Sequence, residues 1–228
     1  MIKSVESLYA MWLFRSIVSF VHKMDFRLFN DRTMCVAGPS QSGKTHFLKR
    51  LLSQRAHLFK LPFERVIWCY GMFQPEVHND LRQQGYQLYS GIPSVADLKP
   101  YDLIVLDDLL NESDSSADLT KMFTQTAHHL PCFVIFVAQN LFPKGKDART
   151  RSLNTHYYVI FKNPRDKSQI ETFTRQISPS KSKALISIFE DATQRPYGYL
   201  FIDFTQECDE RHRFRTDIFK HPMILYSL

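Results

Sequence analysis

Short runs of apolar residues, each too brief for a typical helix, recur along this chain. Residues 33–37, 103–106, 132–138 and 156–161 are mostly apolar and rich in Val, Ile and Phe. A strand with one face in water alternates apolar and polar residues, and these runs do not alternate. They are therefore typical of strands that are buried on both faces, as in a parallel sheet covered by helices.

Segments with helical periodicity lie between these runs. A capping-box pattern at Ser115 predicts a helix that ends near residue 130, and Asn163-Pro164 and Ser178-Pro179 each resemble an N-cap followed by proline in the first turn. Strands that alternate with helices predict an α/β fold with a mostly parallel sheet and a functional site at the carboxyl ends of its strands. The other predicted boundaries are helices over residues 46–57, 76–84, 164–175 and 179–190, and extended segments over residues 65–70, 86–90, 197–204 and 214–219.

The chain begins with an apolar stretch over residues 8–21. This stretch is shorter than the roughly 20 residues that span a bilayer, and Arg15 interrupts it, so an integral membrane span is not expected. Its polar residues fall on one narrow face at helical spacing, which predicts an amphipathic helix that packs on protein or, less expectedly, on a membrane surface. We divide the chain into an N-terminal amphipathic segment, 1–25, and one α/β domain, 26–228.

Composition limits the choice of compartment and partner. A chain of 228 residues suits one α/β domain. The net charge of +6 is compatible with a polyanionic partner, although such an excess is also common in proteins that bind no nucleic acid. The four cysteines have no CxxC or zinc-ligand spacing, which favours a reducing, intracellular location for a soluble protein.

The strongest motif follows the first apolar run. Residues 38–45 match GxxxxGK[ST] between a predicted strand and a predicted helix, which is the context of a phosphate-binding loop. In such a loop the backbone N–H groups surround a triphosphate, the lysine contacts the β and γ oxygens, and the final hydroxyl binds Mg²⁺. We therefore expect ATP and Mg²⁺ to be held by Gly38, Pro39, Ser40, Gln41, Ser42, Gly43, Lys44 and Thr45.

Two carboxylates come directly after the apolar run over residues 103–106. Asp107 suits the second ligand of Mg²⁺, opposite Thr45, and Asp108 suits the base that activates the attacking water. A solvated Asp-Asp turn is the ordinary alternative. The buried strand before the pair and the phosphate loop upstream favour hydrolysis, because adjacent carboxylates beside phosphate repel unless a divalent cation neutralises them.

Gln139 follows the run over residues 132–138, where a strand next to the Asp107 strand would end. An amide in this position could hydrogen-bond the γ-phosphate and the attacking water. It is also an ordinary polar residue at a strand end, and the spacing alone leaves both interpretations open.

Hydrolysis also needs positive charge near the departing phosphoryl group, and a neighbouring subunit often supplies an arginine for this purpose. A basic segment after Gln139 has three possible roles: an arginine finger, DNA phosphate contacts, or a solvated surface. The candidates for the finger are Arg149, Arg151 and Arg165, and Lys144 and Lys146 belong to the same basic segment.

Several classes of protein share these motifs. A small-molecule P-loop kinase would have an acceptor pocket and an arginine-rich lid. A GTPase is disfavoured because no NKxD motif follows the Asp107 strand. A nucleotide-gated binding module without catalysis would differ in its response to replacement of Asp108.

The chain also resembles a known family. The strings GPSQSGKT, LIVLDD, FVAQNLF, RTRSLNTHYYVIFKNPRDKSQI and YLFIDF…RFRTDIF are similar to viral DNA-packaging ATPases of the FtsK–HerA superfamily. The likeness is greatest to those of Maverick/Polinton elements and virophages, with poxviral packaging ATPases more distant. It covers about residues 26–219, and Arg151 stands where the family pattern has an apolar residue.

This resemblance implies a RecA-like P-loop NTPase core and a homo-oligomeric ring. It implies ATP-driven movement of double-stranded DNA into a capsid, with capsid or portal-type proteins as partners and a location in the virion or the host cytoplasm or nucleus. It also implies that Gln139 is the sensor and that Arg149 is the arginine finger. Another DNA pump of the same superfamily is the alternative.

Overall fold

The computed structural model of this chain describes residues 25–98, 100–109, 132–142 and 148–228. Within these ranges one sheet of nine strands has the order β3-β2-β4-β5-β1-β6-β7-β8-β9. The strands are β1 (Thr33–Ala37), β2 (Val66–Tyr70), β3 (Gln87–Ser90), β4 (Leu103–Asp107), β5 (Phe133–Ala138), β6 (Tyr157–Phe161), β7 (Tyr199–Asp203), β8 (Phe214–Thr216) and β9 (Ile224–Tyr226).

The sheet has a parallel part and an antiparallel part. All neighbours from β3 to β6 pair in parallel, whereas β6–β7, β7–β8 and β8–β9 pair antiparallel. This arrangement confirms the predicted α/β class and its mostly parallel sheet.

Helices flank the sheet and supply its cores. On one face, Phe47, Leu48 and Leu51 of the helix after β1 pack in a cluster with Met34 and Val36 of that strand. Burial of each such side chain stabilises the fold by roughly 1.5–3 kcal/mol relative to exposure. The described helices are α1 (Lys44–Ser53), α2 (Arg55–Leu58), α3 (Pro75–Gln83), α4 (Val95–Leu98), α5 (Ala148–Leu153), α6 (Ser168–Ile177) and α7 (Ser182–Ala192).

Some predicted boundaries were wrong. The helix expected over residues 46–57 is divided at Gln54, whose φ of −104° and ψ of 12° are not helical. The helix expected from Pro164 begins at Ser168, because the Asn163 side chain accepts from the Arg165 N–H and closes a local turn first. The second proline-led helix likewise begins later, at Ser182. Strand β9 is an addition to the predicted elements.

Other predictions lie outside the described residues. These are the N-terminal amphipathic helix over residues 8–21, the helix after Ser115, and the positions of Lys144 and Lys146. The division into 1–25 and 26–228 stays a prediction. Across the ranges that the structure describes, no helix has both the length and the apolar character needed to cross a bilayer.

Candidate functional site

Three neighbouring strands bring the predicted site residues to one edge of the sheet. In the order β4-β5-β1, the carboxyl end of β4 carries Asp107 and Asp108, β5 is followed by Gln139, and β1 is followed by the phosphate loop, residues 38–45. The register places Asp107 opposite Val137. The expectation that Gln139 follows a strand next to the Asp107 strand is confirmed. We call this edge, formed by the carboxyl ends of β4, β5 and β1, the catalytic edge.

The phosphate loop is a tight turn closed against the sheet. The Gly38 N–H donates to the Ala138 carbonyl (3.1 Å), which extends the pairing of β1 with β5 beyond the strand. A Cβ atom at Gly38 would lie 2.7 Å from Cβ of Phe161, so only glycine fits here. Gly43 has a φ of +105°, in the region that favours glycine.

The loop leads directly into α1. Its N-terminal backbone receives no side-chain cap from any described residue. The start of a helix carries partial positive charge and N–H groups without intrahelical partners, so it attracts phosphate. The Lys44 ammonium donates to the carbonyl oxygens of Gly38 (2.6 Å) and Pro39 (2.8 Å) and so lies within the curve of the loop.

Asp107 and Lys44 each have a pKa displaced by burial. Burial raises the pKa of Asp107 to about 6, and the charge of Asp108 adds to this effect. The nearby Trp68 indole partly opposes the rise, although its N–H has no hydrogen bond of standard geometry within the described part of the chain. Burial lowers the pKa of Lys44, with Asp107 and Asp108 acting in the opposite direction.

The oxygen donors present fit a hard divalent cation. A hydroxyl at Thr45 and a carboxylate at Asp107 are ligands that Mg²⁺ accepts alongside water and phosphate oxygens. A cation here would also relieve the repulsion between Asp107 and Asp108 that raises the pKa of Asp107. The residues of this edge are thus suited to Mg²⁺.

Asp108 and Gln139 are in contact at the exposed side of this edge. The Gln139 amide nitrogen lies 3.3 Å and 3.2 Å from the two carboxylate oxygens of Asp108. Asp108 has a φ of +56°, an uncommon conformation for a residue with a side chain. Such backbone strain clusters at functional sites, where surrounding contacts hold the residue in place.

The candidate arginines lie elsewhere. Arg149 is exposed on α5, and Arg165 is exposed on the turn after β6. Within the described residues, no hydrogen bond or ion pair joins Arg149 or Arg165 to the phosphate loop. Arg151 belongs to α5, and its side chain lies outside what the structure describes.

The comparisons with known proteins bear on the fold. No family model matches the sequence, and no curated protein matches it. The chain is similar to a solved structure of the genome packaging NTPase B204 from Sulfolobus turreted icosahedral virus 2 in complex with ATP-gammaS, with a TM-score of 0.51 and 13% sequence identity. The alignment covers 78% of this chain and 95% of that chain.

The two chains share a fold. The likeness supports the predicted P-loop NTPase architecture for the mostly parallel sheet and its flanking helices. At this identity it assigns no role to any residue, and the roles expected for Lys44, Asp108, Gln139 and Arg149 stay predictions.

One neighbour of the loop was missed by the sequence reasoning. A Cβ atom at Gly43 would lie 3.2 Å from the Tyr197 ring, so this tyrosine packs over the phosphate loop. Tyr197 is 72% exposed and has a φ of +61°. It lies on a connection between α7 and β7, far along the chain from the motif, and no local pattern indicates this contact.

Proposed function

We propose that this protein is an ATP-hydrolysing motor that moves double-stranded DNA and packages a viral or virus-like-element genome into a capsid. The observation that carries the proposal is the arrangement at the catalytic edge, where the phosphate loop, the Asp107-Asp108 pair and Gln139 follow three neighbouring strands. The fold shared with a genome packaging NTPase supports the same conclusion.

Each residue of this edge has a chemical role in the proposal. Lys44 neutralises the β and γ oxygens, and Thr45 and Asp107 hold Mg²⁺, which supplies charge neutralisation at the phosphates when it is bound. Asp108 accepts the proton of the attacking water. Gln139, within reach of Asp108, orients that water and senses the γ-phosphate.

The missing positive charge comes, in this proposal, from a second copy of the chain. Arg149 is exposed and, within the described residues, has no hydrogen bond or ion pair to its own phosphate loop, which supports a role in trans. A homo-oligomeric ring would place it at the neighbour's γ-phosphate. Capsid or portal-type proteins would be the further partners of such a ring.

The test is ATP turnover with and without duplex DNA, together with a mass measurement of the assembly. We expect duplex DNA of any sequence to stimulate turnover. We also expect DNA binding to weaken by roughly 10³-fold or more between about 50 and 200 mM salt, because a motor grips phosphates rather than bases.

A matched control distinguishes the loss of a catalytic carboxylate from the loss of any negative charge. Asp108→Asn should lower the stimulated turnover by about 10²- to 10⁴-fold, whereas Glu64→Gln, which removes an exposed carboxylate elsewhere, should leave it unchanged. Salt-independent or sequence-specific DNA binding would contradict the motor. A phosphorylated small-molecule product, seen by thin-layer chromatography, would indicate a kinase instead.

A further inference from the structure

Gln169, in the first turn of α6, makes three side-chain hydrogen bonds that join two loops. Its Oε1 accepts from the Leu141 N–H (2.8 Å). Its Nε2 donates to Asp166 Oδ2 (2.6 Å) and to Asn140 Oδ1 (3.2 Å). A side-chain amide offers two donors and an acceptor, and each of them is engaged here.

The two loops belong to different strands. Residues 139–142, the Gln139 loop, follow β5, and residues 163–166, the Asn163 turn, follow β6. Strand β1 and its phosphate loop lie between β5 and β6 in the sheet. Gln169 therefore bridges the loops on either side of the strand that carries the phosphate loop.

The bridge borders a cavity beside the proposed phosphate site. This cavity of about 470 Å³ is lined by Gly38, Gln139, Asn163, Asp166 and Gln169, among other residues. A side chain that holds the Gln139 loop at the wall of this cavity also fixes the point from which Gln139 reaches Asp108.

The far end of the bridge is itself held firmly. Asp166 Oδ1 accepts from the Ser168 N–H (3.1 Å) and from its hydroxyl (2.6 Å). The hydrogen bonds from Ser168 and Gln169 lower the pKa of Asp166, so it remains a carboxylate. The Asn163 side chain accepts from the Arg165 N–H (3.1 Å), which closes the same turn.

We propose that Gln169 is a positioning residue. Through its hydrogen bonds with the Leu141 N–H and Asp166, it holds the Gln139 loop in register with the Asn163 turn. It thereby fixes the position of Gln139 relative to Asp108. The proposal rests on the proposed function of Gln139 in hydrolysis. Gln169 reaches this loop through the Leu141 N–H and the Asn140 side chain, so it acts on Gln139 through the neighbouring residues of the loop.

The hydrogen bond between Gln169 and Asp166 can be removed by one substitution and restored by a second, with donor and acceptor exchanged. Gln169→Glu keeps an oxygen for the Leu141 N–H but places a second carboxylate against Asp166. Asp166→Asn then supplies an N–H where Oδ2 had been and keeps an oxygen for Ser168. The double variant Gln169→Glu/Asp166→Asn therefore restores the hydrogen bond that Gln169→Glu loses.

We expect Gln169→Glu to lower kcat for ATP by roughly 10- to 100-fold, the range seen when residues that orient active-site groups are replaced. The KM should stay within about twofold, because the phosphate loop is untouched. The double variant should recover most of kcat. Gln84→Glu is the matched control, since Gln84 also donates to an aspartate, Asp80 (3.0 Å), and should leave kcat unchanged.

Hydrogen exchange of the Leu141 amide gives a second readout that needs no activity. Exchange should be faster in Gln169→Glu, because repulsion by Asp166 moves the new carboxylate away from the Leu141 N–H, and it should return to the wild-type rate in the double variant. If the wild-type protein hydrolyses no ATP, the proposed function fails. The exchange rate of the Leu141 amide then still tests whether Gln169 holds the Gln139 loop. If Gln169→Glu does not fold, Gln169→Met removes all three hydrogen bonds of the Gln169 amide at similar side-chain length and should likewise lower kcat and speed exchange of the Leu141 amide.

A folded Gln169→Glu with wild-type kcat would overturn the proposal. So would a double variant that folds without recovery of kcat, or an unchanged Leu141 exchange rate in the single variant.

Discussion

The antiparallel and parallel parts of the sheet differ in how their charged side chains are paired. In the antiparallel part, Arg215 donates to Asp203 across β7 and β8 (2.8 Å), and both side chains are less than a tenth exposed. Asp203 also accepts from Thr205, and Arg215 also donates to the His212 carbonyl (2.7 Å). Opposite charges here neutralise one another inside the protein.

At the catalytic edge of the parallel part, charges of the same sign are adjacent. Asp107 and Asp108 are neighbours, and their repulsion adds to the effect of burial on the pKa of Asp107. Folding alone does not favour such a pair, whereas binding of a cation and a phosphate chain does. The comparison indicates that the Arg215–Asp203 pair is satisfied within the fold, whereas the Asp107-Asp108 pair is suited to the cation and phosphate of the proposed function.

The largest expected effects fall at the catalytic edge. Lys44→Ala should abolish turnover and weaken ATP binding, because it removes the charge that faces the β and γ oxygens. Asp108→Asn should lower kcat by about 10²- to 10⁴-fold, the usual contribution of a general base, with ATP binding retained. Steady-state kinetics and nucleotide titration would separate the two defects.

Stability measurements on Asp108→Asn sharpen the comparison. Asparagine tolerates the positive φ at this position, and the substitution removes a like charge beside Asp107, so the variant should be at least as stable as the wild type. A clear loss of stability, or near wild-type turnover, would show that Asp108 belongs with the structural charges instead.

Arg149 tests whether the catalytic edge is completed by a second chain. Arg149→Ala should lower turnover by about 10³-fold or more, as expected for an arginine finger. Mixing it with Lys44→Ala should restore part of the activity, because some interfaces then join an intact phosphate loop to an intact arginine.

The mixing experiment requires proof that the two variants assemble together. Absence of rescue at every ratio in mixed assemblies would reject the role in trans. Full activity of Arg149→Ala alone would transfer the assignment to Arg151 or Arg165.

The buried ion pair should affect stability and leave catalysis intact. Arg215→Ala should lower the free energy of unfolding by about 3–5 kcal/mol, because it leaves the Asp203 carboxylate buried without its main partner. Urea unfolding measures this loss. Turnover per folded molecule should not change.

An exposed pair provides the control for Arg215→Ala. Arg65 pairs with Asp102 at 2.8 Å, with the Arg65 side chain 59% exposed, so Arg65→Ala should have little effect on unfolding. Equal losses in the two variants would contradict the distinction between buried and surface charge.

The smallest expected effect concerns His78, which is buried on α3. Burial lowers the pKa of His78 below the ordinary 6.5, and its Nδ1 accepts from the Gln74 N–H (2.8 Å). The unfolded chain therefore takes up a proton more readily, so stability is fully present above pH 6.5 and is lost as pH falls below it.

His78→Asn tests this assignment, since asparagine keeps an acceptor for Gln74 but does not titrate. Unfolding measured from pH 8 down to pH 5 should show a shallower loss of stability in the variant than in the wild type. If the stability of the variant and of the wild type falls equally with pH, a group other than His78 causes the loss of stability in acid.

The sequence was most informative where burial is complete. Strands β1, β4, β5 and β6 agree with the predicted runs to within one residue, because strands covered on both faces are apolar throughout. The expectation that Gln139 follows a strand next to the Asp107 strand also agrees with the order of the sheet.

Contacts between distant residues could not be predicted. The Arg215–Asp203 pair, the packing of Tyr197 over Gly43 and the bridge at Gln169 depend on which loops the sheet order brings together. The helix expected from Pro164 was placed too early because the Asn163 and Asp166 side chains accept from nearby N–H groups and form a turn before it starts. Before the helix expected from Pro179, the Lys181 N–H donates to the Ser178 carbonyl (3.2 Å) and closes a turn.

The central position of β1 has a mechanical consequence. Its backbone is paired with β5 over residues 33–37 and with β6 over residues 34–37. A force on the phosphate loop along the strand axis acts in shear on the hydrogen bonds that join β1 to β5 and to β6, so many of these bonds resist it together. An edge strand such as β9 has a partner on one side and can separate from it one hydrogen bond at a time. In the proposed motor, the force of each stroke would thus be distributed over the whole sheet, and the phosphate loop would keep its shape under tension.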